Sequence, residues 1–259
     1  MAETRPTALV TGASSGIGLE ICRALAENGF NLVLVARSEA KLAQLARELA
    51  AQHAITAEPL VADLAEPSAP QQIYDKLKSA GTRIDALVNN AGFGARGGFA
   101  SLPLQHQLEM IAVNISALTA LTRLFLPDML TRKQGRILNV ASVAGFQPGP
   151  NMAVYYASKA YVLLFSEGLA EELAGSGVSL TCLCPGPTKT QFAATADLNK
   201  SLLFQLLPSE AGPVARQGVA AMLAGKRLVI PGVLNKVLAF SGRLTPRFVM
   251  PKIVKQLQR

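Results

Sequence analysis

Short apolar runs alternate with amphipathic stretches along nearly the whole chain. Thr7 to Val10 reads as a buried strand, and Leu19, Ile21, Cys22 and Leu25 follow at the spacing of one helix face. Asn31 to Val35 predicts a second strand ending at Ala36 and Arg37, after which Ser38 is placed to cap a helix carrying Leu42, Leu45 and Leu49. A strand around Thr56 to Val61 is closed by Asp63 and Leu64. A helix around Gln71 to Lys78 then leads to the strand Ile84 to Val88 and to Asn89-Asn90-Ala91-Gly92. The pattern next predicts a long helix from Leu104 to Leu130, a strand from Arg136 to Val140 with Ser142 just beyond it, and a helix from Met152 to Leu173. The strand Val178 to Leu183 runs into Pro185-Gly186-Pro187, and a helix from Pro213 to Leu223 precedes the strand Leu228 to Ile230. Residues 187–207 have no strong period and are expected to form a mobile loop or lid. Strands alternating with helices in this way predict an α/β fold, a doubly wound parallel sheet of about seven strands with helices on both faces.

Ligands on such sheets bind at the carboxyl ends of the strands. The glycine-rich and polar residues gather there: residues 11–18, Arg37, Asp63, Asn90, Ser142 and Pro185-Gly186. Thr11-Gly12-Ala13-Ser14-Ser15-Gly16-Ile17-Gly18 lies between a strand and a helix. Glycine there lets a ligand approach the backbone, and the helix N-terminus offers unpaired N–H groups to a phosphate. A plain chain reversal is the competing reading of this stretch. In Tyr155-Tyr156-Ala157-Ser158-Lys159, a lysine one helical turn from a phenol favours its ionised form. Spacing alone does not separate Tyr155 from Tyr156, and two core tyrosines beside a surface lysine would give the same pattern.

Composition narrows the class. Of 259 residues, 50% are hydrophobic and 16% charged, which fits one large buried core and argues against disorder. The polar Met1 to Pro6 carries no signal-peptide pattern, and no apolar run approaches the ~18 residues of a membrane span. The three cysteines, Cys22, Cys182 and Cys184, are too few for a disulfide framework and have no neighbouring histidine. Buried thiols, no metal site and a reduced, cytoplasmic protein are expected. His53 and His106 read as surface residues. The net charge of +8 is concentrated at one end: beyond Glu210, the last acid, lie nine basic residues. Residues 233–259 interleave these with Val233, Leu234, Val237, Leu238, Phe240, Phe248, Val249, Ile253, Val254 and Leu257, and Pro246 and Pro251 are expected to break the segment into short helices. It reads as a basic helical extension of the domain formed by residues 1–232. Three expectations stand for it: peripheral contact with anionic lipid, docking of an acidic carrier or phosphate-bearing substrate, or a subunit interface.

Taken together, Thr11-Gly12-x-x-x-Gly16-x-Gly18, Asp63-Leu64, Asn89-Asn90-Ala91-Gly92, Asn114, Ser142, Tyr155-x-x-x-Lys159 and Pro185-Gly186 resemble the short-chain dehydrogenase/reductase family in its single-domain (Rossmann) form. The match covers about residues 5–230. The resemblance implies an oxidoreductase that interconverts a carbonyl and an alcohol. Within it Ser142 would bind the substrate oxygen, Tyr155 rather than Tyr156 would be the acid-base group, and Lys159 would hold the nicotinamide ribose and lower the tyrosine pKa. Asn114 would fix a water leading to Lys159. The cofactor set it implies is Gly12, Ser14, Ser15, Gly16, Ile17, Gly18, Asp63, Leu64, Asn90, Ala91, Gly92, Tyr155, Lys159, Pro185, Gly186, Thr188 and Thr190. In dinucleotide folds an acid about 20 residues past the glycine turn binds the ribose 2′-OH. Ala36 and Arg37 stand there instead, and a guanidinium pairs well with a 2′-phosphate, so NADP(H) is expected. An apolar small-molecule substrate, a homodimer or homotetramer built on the two long helices, and no nucleic-acid partner complete the expectation. The alternative on the same fold is an NADPH-sensing binding protein without turnover.

Overall fold

A computed structural model describes residues 5–190 and 208–257. β1 (Thr7–Thr11), α1 (Gly16–Glu27), β2 (Asn31–Ala36), α2 (Glu39–His53), β3 (Ala57–Val61), α3 (Ala69–Ser79) and β4 (Ala86–Asn89) form the first half. The second half contains α4 (Leu104–Ile111), α5 (Leu118–Arg132), β5 (Gly135–Val140), α6 (Ala153–Glu172) and β6 (Val178–Leu183). After them come β7 (Thr188–Lys189), β8 (Ser209–Glu210), α7 (Ala211–Leu223), β9 (Leu228–Val229), α8 (Val233–Leu244) and α9 (Met250–Leu257). The seven-stranded sheet has the order β3-β2-β1-β4-β5-β6-β9 and every pairing in it is parallel. The expected doubly wound α/β architecture is present, and the strand order reverses between β1 and β4, where a ligand crevice opens.

Period-two alternation within the strands divides the core between the two faces. Ala8 and Val10, Leu32 and Leu34, and Leu138 pack with α1, α2 and α7. Leu9, Val33, Val35, Leu87 and Ile137 pack on the opposite face with α3, α5 and α6. Covering both faces is what lets β1, β2 and β4 consist almost entirely of buried apolar residues.

Three expectations change. The helix foreseen as continuous from Leu104 contains a π-helical stretch, Ala112–Ala117, which presents Asn114 to partners outside the helix. Leu104–Arg132 is 29 residues long and contains an 18-residue window of mean hydropathy 1.5, so by length and composition it is long and apolar enough to cross a membrane, although the sequence suggested no such run. Its apolar residues are used otherwise: Ala117, Leu121, Phe125 and Met129 pack against the sheet. Polar ties add to this, since Thr122 accepts a hydrogen bond from Asn89 and Arg132 donates to the Ile84 carbonyl. In the tail, Pro246 separates two helices as foreseen, but Pro251 lies in the first turn of α9, where its missing N–H costs nothing. The expected lid begins and ends at a two-stranded parallel ribbon, β7 with β8. Its apolar residues Phe192, Leu198, Leu202, Leu203, Phe204, Leu206 and Leu207 lie outside the described residues.

Candidate active site

At the switch point, Thr11 ties two strand ends together. Its hydroxyl donates to the Val88 carbonyl at 3.2 Å and accepts from the Asn90 and Ala91 amides, each at 3.0 Å. The Asn90 carboxamide donates in turn to the Thr11 and Gly12 carbonyls at 2.9 and 3.3 Å. The glycine turn and the Asn90-Ala91-Gly92 turn are thereby held as one rigid unit. Gly12 has φ +67°, and a Cβ there would lie 2.7 Å from the Asn90 amide. A Cβ on Gly18 would sit 2.2 Å from the Gly12 carbonyl oxygen. Side chains are therefore excluded from the start of α1 by both conformation and space. No acid occupies the first turn of α1, and Ser15 at its N-cap makes no side-chain cap bond. The first N–H groups and the dipole end are left for an anion.

A single cavity of about 1030 Å³ begins at this turn and extends to the C-terminal helices. Gly12, Ser14, Ser15, Gly16, Ile17, Gly18, Arg37, Asp63, Leu64, Asn90, Ala91, Gly92, Ser142, Tyr155, Lys159, Pro185, Gly186, Thr188 and Thr190 all line it. Arg37 is exposed at the end of β2, and among the described residues no carboxylate pairs with it. Lys41, in the first turn of α2, lines the same end of the cavity and was not foreseen. A second basic residue on the helix that follows Arg37 was the available signal. One oxygen of Asp63 accepts from the Ala65 amide at 3.0 Å, which fixes the turn after β3. Thr188 is buried and donates to the Gly186 carbonyl at 2.9 Å, while the methyl of Thr190 would be 3.1 Å from a Cβ on Gly16. The segment after β6 is thus laid over the glycine turn.

At the deeper end, Ser142 caps a 3-10 turn, Val143–Phe146, by accepting from the Ala144 amide at 3.1 Å, and its hydroxyl also bonds Tyr155. Tyr155 and Tyr156 are both buried on α6, with rings edge to face at 6.0 Å, so burial does not distinguish them. The Ser142 bond does, since it engages Tyr155. Lys159 is buried too, and its Nζ donates to the Val140 carbonyl at 2.9 Å.

Asn114 is the one expected site residue that is not on the cavity wall. Its Oδ1 accepts from the Phe93 amide at 3.0 Å, and its Nδ2 donates to the Phe93 carbonyl at 2.9 Å and to Ser158 at 3.0 Å. The carboxamide joins the π-helical turn to the strand-end turn and to α6, one residue from Lys159. Gly92 makes this approach feasible, since a Cβ there would lie 3.0 Å from Asn114 Oδ1 and 3.3 Å from Lys159 Nζ.

Without a bound nicotinamide, the electrostatics at the tyrosine run the other way from the lowering that the resemblance implies. The lysine was expected to lower the tyrosine pKa. Instead, burial pushes Tyr155 well above the usual phenol value, and the Ser142 hydrogen bond opposes this only in part. Lys159 Nζ lies 6.0 Å from the ring centroid and directs a proton at Val140, so it is poorly placed to favour the phenolate. Burial also lowers Lys159, from 10.5 to about 8, with only the Cys182 and Cys184 thiols acting the other way. Those thiols are buried, with sulfurs 3.7 Å apart.

The lowered lysine has a measurable consequence for the cofactor-free protein. Between its folded pKa of about 8 and its unfolded value of 10.5, the unfolded chain holds a proton that the folded chain has released. The Lys159 contribution to stability therefore rises with pH across that window, whereas Cys22, Cys184 and Tyr155, all held above their ordinary values, contribute in the opposite direction. From pH 8 to pH 10 the rise from this one group is about 2 kcal/mol. Urea unfolding of the wild type and Lys159→Met at both pH values should show the stability of the wild type changing by about 2 kcal/mol more favourably than that of the variant over this interval, since the other shifted groups are common to both. Parallel slopes would contradict the assignment.

The fold and the cavity together define a dinucleotide-binding protein of the doubly wound type, with a serine, a tyrosine and a lysine at the deep end. Residues 6–201 match the short chain dehydrogenase family, and the chain belongs to that family. It is 37% identical over 193 residues to a short chain dehydrogenase of Pseudocercospora fijiensis, covering 74% of this chain and 62% of that protein. Over 184 residues it is 39% identical to a very-long-chain 3-oxoacyl-CoA reductase of Anas platyrhynchos, covering 69% and 58%. The chain thus spans about three fifths of the length of these two curated relatives. A short-chain dehydrogenase from Sphingobium yanoikuyae, solved in complex with NADPH, superimposes with a TM-score of 0.83 at 33% identity, over 92% of this chain and 93% of that one. The family and this complex fit the glycine cradle to a nicotinamide dinucleotide.

Proposed function

We propose that the protein is an NADPH-dependent oxidoreductase that reduces the carbonyl of an apolar ketone, aldehyde or acyl chain to an alcohol. The observation that carries this reading is one continuous cavity with Arg37 and the glycine turn at one end and Ser142, Tyr155 and Lys159 at the other. The glycine turn and the N-terminus of α1 would hold the pyrophosphate, Arg37 and Lys41 the 2′-phosphate, and Lys159 the nicotinamide ribose. The bound nicotinamide supplies the hydride to the carbonyl carbon.

The chain's own groups handle the oxygen. Ser142 donates a hydrogen bond to the carbonyl oxygen and orients it beside Tyr155. Tyr155 gives that oxygen its proton as the alcohol forms. Burial keeps the phenol protonated at neutral pH, which is the state needed for reduction. Asn114 positions Lys159 and the Phe93 turn, and the proton lost by Tyr155 returns along the Lys159 side of the site. Phe93, Met152, Tyr156, Leu238 and Met250 give the substrate end an apolar lining. The acyl-CoA substrate in the name of the Anas platyrhynchos relative supports including acyl-chain carbonyls. Exposed Leu104, Leu108 and Leu164 on α4 and α6 support assembly through those helices.

The test is a screen that follows NADPH absorbance over ketones, aldehydes and 3-oxoacyl thioesters of increasing chain length. Turnover should rise with chain length while NADH supports little. Absence of turnover on every carbonyl class, with NADPH binding intact, would favour a cofactor sensor instead.

A further inference from the structure

The two C-terminal helices have unlike faces. Inward, Asn235 and Ala239 of α8 and Met250 and Val254 of α9 are buried, and the last three line the cavity. Asn235 fastens α8 in place: its Nδ2 donates to the Pro231 carbonyl at 2.7 Å, and a Cβ on Gly186 would lie 2.3 Å from its Oδ1. Outward, Val233, Leu234, Val237 and Phe240 form one helical stripe on α8. Val233 and Phe240 are 77% and 60% exposed, and Phe248 in the connection to α9 is 76% exposed. Lys236, Arg247, Lys252 and Lys255 are exposed around them. No acid occurs anywhere after Glu210.

We propose that this outward face docks on an anionic lipid bilayer, with its apolar side chains in the acyl boundary and its basic side chains at the headgroup phosphates. Charge decides the occupant. A second copy related by two-fold symmetry would set the same cations against one another, with no acid in the segment to pair them. An anionic bilayer offers both an apolar phase and negative charge. Because the same helices wall the cavity, docking holds its substrate end within about one helix diameter, ~10 Å, of the lipid. An apolar substrate would then have a short path from the bilayer. The docking itself does not depend on which reaction the site performs.

The full chain is sedimented with phosphatidylcholine vesicles and with mixed phosphatidylcholine and phosphatidylglycerol vesicles. Each is run at about 0.1 M and about 1 M salt, between which the screening length falls from about 10 Å to about 3 Å. Binding is expected only to the mixed vesicles and about tenfold weaker at the higher salt. The pair Lys252→Glu and Lys255→Glu should weaken it roughly 30-fold. The pair Phe240→Ser and Phe248→Ser should reduce it at both salt concentrations while NADPH binding is retained. Three results overturn the proposal: no binding to the anionic vesicles, equal binding by all variants, or a dimer in sedimentation velocity that the phenylalanine pair abolishes.

Discussion

Replacing Tyr155 with phenylalanine should lower the rate of carbonyl reduction by about 10³-fold, within the range that a positioned general acid contributes. The ring would stay in place, since Tyr155 is buried on α6 and packs edge to face on Tyr156 at 6.0 Å. What disappears is one hydroxyl, together with its bond to Ser142. NADPH affinity should change by no more than about twofold, because the 2′-phosphate and pyrophosphate ends of the cavity are untouched. Single-turnover absorbance and NADPH fluorescence titration separate the two effects. Tyr156→Phe is the control: it removes an equally buried hydroxyl one position along and should leave most of the turnover. Comparable rates in the wild type and Tyr155→Phe would remove Tyr155 as the proton donor, and loss of NADPH binding in that variant would show a packing defect instead.

What the sequence made legible depended on how local each signal was. The sheet was readable because β1, β2 and β4 are buried on both faces and appear as unbroken apolar runs. The glycine turn was readable because only glycine satisfies both a φ of +67° at Gly12 and the 2.2 Å approach at Gly18. Contacts between distant segments were not. Thr11 was seen as part of a turn, but its role as the tie between β1 and the Asn90 turn spans 77 to 80 residues. The resemblance singles out Asn114, yet the π-helical turn that frees it depends on Phe93, 21 residues earlier, and Ser158, 44 later. The direction of the Tyr155 shift in the cofactor-free site was not legible for a similar reason. Spacing placed Lys159 one turn away but could not show that its proton is directed at Val140 or that burial outweighs its charge. The tail was legible in composition only. Its cationic, apolar character was plain, whereas its place as a wall of the cavity required the close packing of Asn235 on Gly186.

On the proposed reading the preference for NADPH rests on the end of β2, and reversing the charge there should reverse it. Arg37 stands just after β2, where an acid would accept the ribose 2′-OH, and it lines the cavity beside Ser38 and Lys41. A guanidinium–phosphate pair is worth about 1.5–3 kcal/mol. Arg37→Asp removes that pair and sets a carboxylate against the 2′-phosphate, so NADPH affinity should fall on the order of 100-fold. NADH should bind as well or better, because the new carboxylate can accept from the free 2′-OH. Folding should be unaffected to within about 0.5 kcal/mol, since Arg37 is exposed and pairs with no carboxylate among the described residues. Lys41→Ala should produce a smaller loss in the same direction, because one cation remains at that end of the cavity. Titrating both cofactors against the three proteins gives the ratio directly. An unchanged preference for NADPH in Arg37→Asp would mean that the 2′-phosphate is held elsewhere. Equal loss of both cofactors would mean that the substitution had disturbed the glycine turn instead of the charge at its rim.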